Sequence, residues 1–260
     1  VERFDEELGR RILTLDLRNS EDLGTRLRDG DLVTIPALVN EVENAVFLSG
    51  HVDHPGSYAW IPDMRISDLL PSESYLRPRA DVNYLLIRGE EGANRRIEVR
   101  SADLSAALKN PGSAADIPLR NRDTVYAFEI GVSRSSEVAK VIAELEVQAS
   151  SQQRIAAVVI GGAVHAPGRY PLERGMRISD LLRAGGNLTE SAYAIDAELA
   201  RYTVGMSGDR ETELEKIDLV GVLAGNQTAD VVLQPGDNLF VKGIPNWLEQ
   251  YVVTLQGEVR

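Results

Sequence analysis

The sequence predicts an α+β chain built from tandem copies of one small unit, a sheet with a short helix packed on it. Three observations predict it. The heptapeptide MRISDLL occurs twice, at Met64–Leu70 and at Met176–Leu182. The stretch before it repeats at the same offset: AVFLSGHVDHPGSY (Ala45–Tyr58) lies over AVVIGGAVHAPGRY (Ala157–Tyr170), with half of the positions identical. A closing segment, Leu then Asp four residues on and then an alternating apolar run, occurs three times: LRDGDLVTIP (Leu27–Pro36), LRNRDTVYAF (Leu119–Phe128) and LQPGDNLFVK (Leu233–Lys242). Internal repeats of this kind mean that one supersecondary unit is being copied.

Each element of the unit has a physical reading. Val46–Val52 is β-branched and apolar and reads as a strand. Gly50 and Gly162 interrupt it, which predicts a bulge or a close approach of another backbone. Pro55-Gly56 and Pro167-Gly168 are turn dipeptides, where Pro presets φ and Gly accepts φ > 0. A second strand follows through Tyr58–Ile61 and Tyr170–Leu172, so the pair predicts a hairpin. Tyr58 and Tyr170 are expected to pack at the strand end with the hydroxyl outward. In the heptapeptide, Ile66, Leu69 and Leu70 are spaced for one helical face, as are Ile178, Leu181 and Leu182. Asp68 and Asp180 fall in the first turn, where a carboxylate offsets exposed N–H groups. Gly185-Gly186 can end the second helix in the left-handed conformation; the first copy has Glu73-Ser74 there and must end differently.

Downstream, YLLIR (Tyr84–Arg88) and RIEV (Arg96–Val99) read as strands, and GEEGANRR (Gly89–Arg96) as a charged, solvent-facing turn. IDLVGVLAG (Ile217–Gly225) reads as a strand running into a helical turn. The spacing from Asp123 to Gly162 is about twice that from Asp31 to Gly50 or from Asp237 to Gly257. The extra residues include SSEVAKVIAELEVQAS (Ser135–Ser150), with Val138, Val141, Ile142 and Leu145 on one helical face and Ser135 or Ser136 as a cap. This helix is expected to pack either on its own domain or on a neighbouring subunit. The predicted organisation is therefore the back half of a unit at 1–36, a full unit at 45–130, a helix and linker at 134–154, a second full unit at 156–243, and the opening strand of another, VVTLQGEV, at 251–260.

Composition narrows the function. A hydrophobic fraction of 43% and a charged fraction of 26% are ordinary for a folded protein. The net charge of −12 disfavours nucleic acid and anionic membrane surfaces, which select basic footprints. With no cysteine, disulfides, thiolate metal sites and cysteine nucleophiles are excluded. The longest apolar run, Ala156–Val164, is far short of the roughly 20 residues of a spanning helix. The chain starts at Val1 rather than Met and reads as an excised fragment or mature portion.

The residues then resemble a known family. Strand–Gly–x–Val–x–x–Pro-Gly–x–Tyr, an ISDLL helix and a Gly pair look like the SLBB domain, the soluble ligand-binding β-grasp. The anchors are Gly162, Val164, Pro167, Gly168, Tyr170, Leu181, Leu182, Gly185 and Gly186; the first copy lacks the Gly pair. Tandem copies with a helix between them resemble the periplasmic part of outer-membrane polysaccharide export proteins of Gram-negative bacteria. The resemblance implies β-grasp domains, each a small mixed sheet with a packed helix, assembled in a homo-oligomeric ring. The exported polysaccharide would pass through the ring, with an inner-membrane polysaccharide co-polymerase as partner. It further implies a periplasmic location, associated with the outer membrane in the full-length protein. The family's export domain, anchoring cysteine and membrane helix are not visible in these residues.

No catalytic, cofactor-binding or metal site is predicted, and the binding residues are left unassigned. G-x-S-x-G, P-loop and dinucleotide glycine patterns are absent from the sequence. In HVDH, His51 and Asp53 would share a strand face but His54 would not, and the second repeat has Ala163, His165 and Ala166 at the positions of His51, Asp53 and His54. No pair among the carboxylates stands out for glycoside hydrolysis, so the chain is expected not to be an enzyme. Aromatic residues are few, which argues against tight sugar stacking; Trp60 and Trp247 are candidate contact residues. A channel wall needs weak contacts that let a polymer leave. An acidic wall would repel a strongly anionic glycan. The competing expectation is a soluble carbohydrate-binding or adaptor module of the cell envelope.

Overall fold

The computed structural model describes residues 1–5, 9–35, 44–150, 153–204, 210–245 and 247. The opening strand expected at 251–260 lies outside them, as do positions 6–8 and 36 of the expected half unit. The chain divides into two compact units, Val1–Val42 and Glu43 onward. Among the described residues no helix is long and apolar enough to cross a membrane.

The first unit is a hairpin, β1 (Glu2–Asp5) against β2 (Gly9–Ile12), followed by one helical turn, α1 (Ser20–Leu23). Asn19 caps α1 by accepting the Glu21 N–H at 3.0 Å. Leu32 then bridges antiparallel to Glu2.

The second unit holds two five-stranded mixed sheets of one topology. The first is ordered β4 (Gly56–Ala59), β3 (Ala45–Gly50), β7 (Thr124–Glu129), β5 (Ala80–Glu91) and β6 (Arg96–Ala102). Only β3–β7 is parallel. The second repeats this with β9 (Gly168–Pro171), β8 (Ala157–Gly162), β12 (Asn238–Gly243), β10 (Ala192–Val204) and β11 (Arg210–Asp218), again with one parallel pair, β8–β12. Each sheet packs two short helices: α2 (Ile66–Leu69) and α3 (Leu104–Lys109) on the first, α5 (Ile178–Ala184) and α6 (Leu219–Leu223) on the second. The architecture is thus α+β, with tandem β-grasp-like domains.

The two glycines in the first strand of each domain answer a close approach. Gly50 and Gly162 have φ of +88° and +84°. A Cβ on either would sit 2.1 Å from the Ala127 carbonyl oxygen or 1.9 Å from that of Val241. The hairpins start at Gly56 and Gly168, earlier than expected, and only Gly56 of the two takes a positive φ. Both tyrosine hydroxyls donate to the carbonyl four residues back, Tyr58 to His54 and Tyr170 to Ala166, each at 2.7 Å. Tyr58 does so at an exposed site, whereas Tyr170 differs from expectation in that its hydroxyl is buried. The ring therefore clamps the turn, and burial pushes the Tyr170 hydroxyl up to about 12.

Every residue of MRISDLL has a structural role. Met64, Ile66, Leu69 and Leu70 are buried in the first domain, as are Met176, Ile178, Leu181 and Leu182 in the second; each such side chain contributes about 1.5–3 kcal/mol of burial. Asp68 and Asp180 accept the backbone N–H three residues back, from Arg65 at 2.8 Å and Arg177 at 3.0 Å. Ser67 donates its N–H and hydroxyl to the two oxygens of Asp116 at 3.0 and 2.8 Å, and Ser179 does the same to Asp230 at 2.9 and 2.7 Å. Arg65 and Arg177 donate to the main-chain carbonyls of those same aspartates at 2.6 and 2.5 Å. Gly186, at φ +76°, ends α5, while α2 stops after one turn and gives way to a 3-10 turn at Glu73–Tyr75 that Ser72 caps.

The recurring Asp of the closing segment is a loop clasp. Asp31, Asp123 and Asp237 each accept the N–H three residues back, at 2.8, 2.7 and 2.8 Å. Each also receives an arginine: Arg3 from β1, Arg100 from β6 and Arg201 from β10. Arg100 comes from the outer strand because Gly89 stands where the second domain has Arg201, and a Cβ there would collide with the Asp123 carboxylate at 2.5 Å.

Candidate functional site

The two domains of the second unit are fused through helix α4 (Ser135–Val147). The residues of the fusion decide what lies between them. On β5, Leu85 and Ile87 face the first domain's own core, while Tyr84 and Leu86 face away from it. That second face is covered by Val138, Val141, Ile142 and Leu145 of α4 and by the second domain, all in one cluster. A strand buried on both faces reads as an unbroken apolar run, and YLLI is one. The equivalent run on β10, Asp196-Ala197-Glu198-Leu199, alternates. Its outward side chains are tied by Lys216 and Lys242, with Asp196–Lys216 and Glu198–Lys242 both at 2.8 Å. The helix therefore packs within its own chain, the first of the two expected alternatives. Neither Ser135 nor Ser136 caps it; Arg134 occupies the N-cap position.

Arg134 is the central polar group of the interface. It is 3% exposed, pairs with Asp81 of the first domain and donates to the Ala184 carbonyl of the second at 2.8 Å. The Tyr84 and Phe128 rings flank its guanidinium at 5.1 Å each, a cation–π geometry.

Beside this seam the β5–β6 hairpin leans over the second domain. The turn expected to face solvent forms one wall of an inter-domain cleft of about 730 Å³, within the size range of ligand sites, which favour domain boundaries. The hairpin contributes Glu91, Asn94, Arg96 and Glu98, and the β9–α5 connection contributes Glu173 and Arg174. Leu145, Leu172 and Leu233 line it with apolar surface. Arg174 spans the mouth, 3.1 Å from Glu91 and 3.6 Å from Glu98. Arg96 donates to Gln153 at 2.9 Å. Glu173 turns inward. Burial pushes its carboxyl above the usual range, against hydrogen bonds from Ser101 and the nearby Arg183 guanidinium. Its Oε1 is sealed from solvent without a hydrogen-bond partner. Arg183 itself reaches across the boundary to the Ser101 hydroxyl at 3.0 Å.

None of the cleft's polar side chains was singled out as functional by sequence reasoning. The histidines are elsewhere: the His51 ring meets the Pro78 carbonyl at 2.8 Å, and no group of three potential ligands for a metal ion occurs among the described residues. Trp60 is half-buried and donates to the Leu119 carbonyl at 2.9 Å, a packing role, whereas Trp247 is exposed. The cleft residues from the second domain, Glu173 and Arg174, have no counterpart in the first, where Ile61 and Pro62 stand at their positions, so repetition did not flag them. Asp116 and Asp230 were missed as well, although the closing repeat extends back to them in ADIPL and ADVVL.

No curated protein matches the chain. Residues 158–212, running from the first strand of the second domain through α5 and into β11, match the family model of the SLBB domain. The copy that carries the Gly pair is thus similar to the SLBB domain over 158–212, and its neighbour shares its sheet topology.

Proposed function

We propose that the chain is a periplasmic segment of an outer-membrane polysaccharide export protein, where it forms part of a ring or channel wall through which the polymer passes. The observation that supports this is the fusion of two β-grasp domains through α4 into one core. A wall element must hold its domains in fixed relation, and a shared core does so. In this reading the chain is not an enzyme, its ring is homo-oligomeric, and it works with an inner-membrane polysaccharide co-polymerase. Native mass spectrometry of the full-length protein in detergent tests it: a closed oligomer is expected, and a strictly monomeric species overturns it.

A second reading, a soluble carbohydrate-binding or adaptor module, is favoured by the inter-domain cleft. It predicts oligosaccharide binding by a monomeric full-length protein.

A further inference from the structure

We propose that the inter-domain cleft is a subsite for an uncharged, polyhydroxylated ligand, a short segment of neutral glycan. The inference rests on the glycan reading above and adds the chemical class and the place. A sugar presents hydroxyls that both donate and accept, and a C–H face that is apolar. The cleft offers all three complements: carboxylate acceptors at Glu91 and Glu98, donors at Asn94 and Arg96, and an apolar floor that includes Leu145 and Leu172. Its charges argue against the alternatives. Arg174 is already shared by Glu91 and Glu98, and Glu98 also takes Arg120 at 2.6 Å. Arg96 meets the neutral Gln153 amide, but a uronate drawn to it would sit among Glu91, Glu98 and Glu173 of the same lining, in a chain of net charge −12. An amino sugar would have to compete with arginines for the same carboxylates. Among the described residues no aromatic ring lines the cleft, so the ligand is not stacked there and binding is weak, as passage of a polymer requires.

The test is an amide-resolved NMR titration of this chain with a panel of neutral tetrasaccharides (α-1,4-, β-1,4- and β-1,3-glucans), a tetragalacturonate and a chitosan tetramer. The expected result is millimolar binding of at least one neutral probe. Its shifts should centre on the β5–β6 turn and on Leu172–Gly175. Asn94→Ala, which removes a donor at an exposed position facing the cleft, should weaken it at least threefold without changing the melting temperature. Should that variant disturb the hairpin, Gln153→Ala reads the same loss. Shifts centred elsewhere, no neutral binder, or tighter binding of the charged probes would overturn the proposal. Those results would leave a detergent-stable ring intact as support for export, whereas a monomeric full-length protein with a working cleft would sink export alone.

Discussion

Arg134→Met should be among the most damaging single changes in the second unit. The substitution keeps much of the side-chain volume between Tyr84 and Phe128 but leaves Asp81 buried without its cation and the Ala184 carbonyl without its donor. Breaking a buried pair from one side costs about 3–5 kcal/mol, because the remaining charge is uncompensated. For a unit of this size, that lowers the melting temperature by about 6–20 °C at roughly 2–4 °C per kcal/mol. Asp81→Asn in the same chain removes the orphaned charge and can keep the oxygen that accepts the Asn83 N–H at 3.0 Å. The double variant should therefore recover a large part of the loss. Calorimetry and urea unfolding of the wild type, both single variants and the double give the coupling directly. A cost below about 1 kcal/mol for Arg134→Met, or a double variant as unstable as the sum of the singles, would refute the assignment of Arg134 as the inter-domain clamp.

Three further outcomes are expected. Gly162→Ala places a Cβ 1.9 Å from the Val241 carbonyl oxygen at a φ of +84°; left-handed strain plus overlap should cost about 2–4 kcal/mol and expose the β8–β12 amides to hydrogen exchange. Asp230→Ala leaves the Ser179 N–H and hydroxyl unpaired, for about 1–3 kcal/mol of stability read by urea unfolding, with Asp230→Asn milder. Glu173→Gln tests the buried carboxyl. Its folded pKa lies above the unfolded value of 4.5, so the folded chain retains a proton that the unfolded chain has lost. That contribution is complete below 4.5 and is lost as pH rises through the folded value. The variant should be more stable than wild type at neutral pH and flatter in melting temperature above pH 4.5; an unchanged profile would count against the burial. Asp123, raised in the same direction by burial, remains in both proteins and cancels in the comparison.

The difference between the two sheets bears on function. The first is covered on both faces, and the second carries charge on its outer face at the positions equivalent to Tyr84 and Leu86. A domain pair built this way has a sealed seam and a solvated outer sheet. The cleft opens at the edge of the seam, where the hairpin overhangs. Its mouth is held by Arg174, which is largely exposed, and exposed pairs of this kind contribute about 0–1 kcal/mol. The hairpin tip is therefore weakly restrained at that contact, as the proposed glycan subsite would require.

Much of the domain could be read from residues alone, because its signals are local. Ile66, Leu69 and Leu70 recur at helical spacing, Gly50 and Gly162 sit where a strand needs no Cβ, and Asp31, Asp123 and Asp237 keep one distance from a leucine. Repetition doubled each signal. The seam and the cleft are different in kind. Arg134 meets Asp81 across 53 residues and Arg174 meets Glu91 across 83, with no period or motif to link them. Their partners are not repeated, since each boundary between copies is unique. Even the unbroken YLLI run, which announces a strand buried twice, does not say what covers its second face. Packing of α4 and the second domain made that choice, because only burial in three dimensions brings Tyr84, Arg134 and Ala184 within contact. The unit was written in the order of its residues, and the site was made by the join.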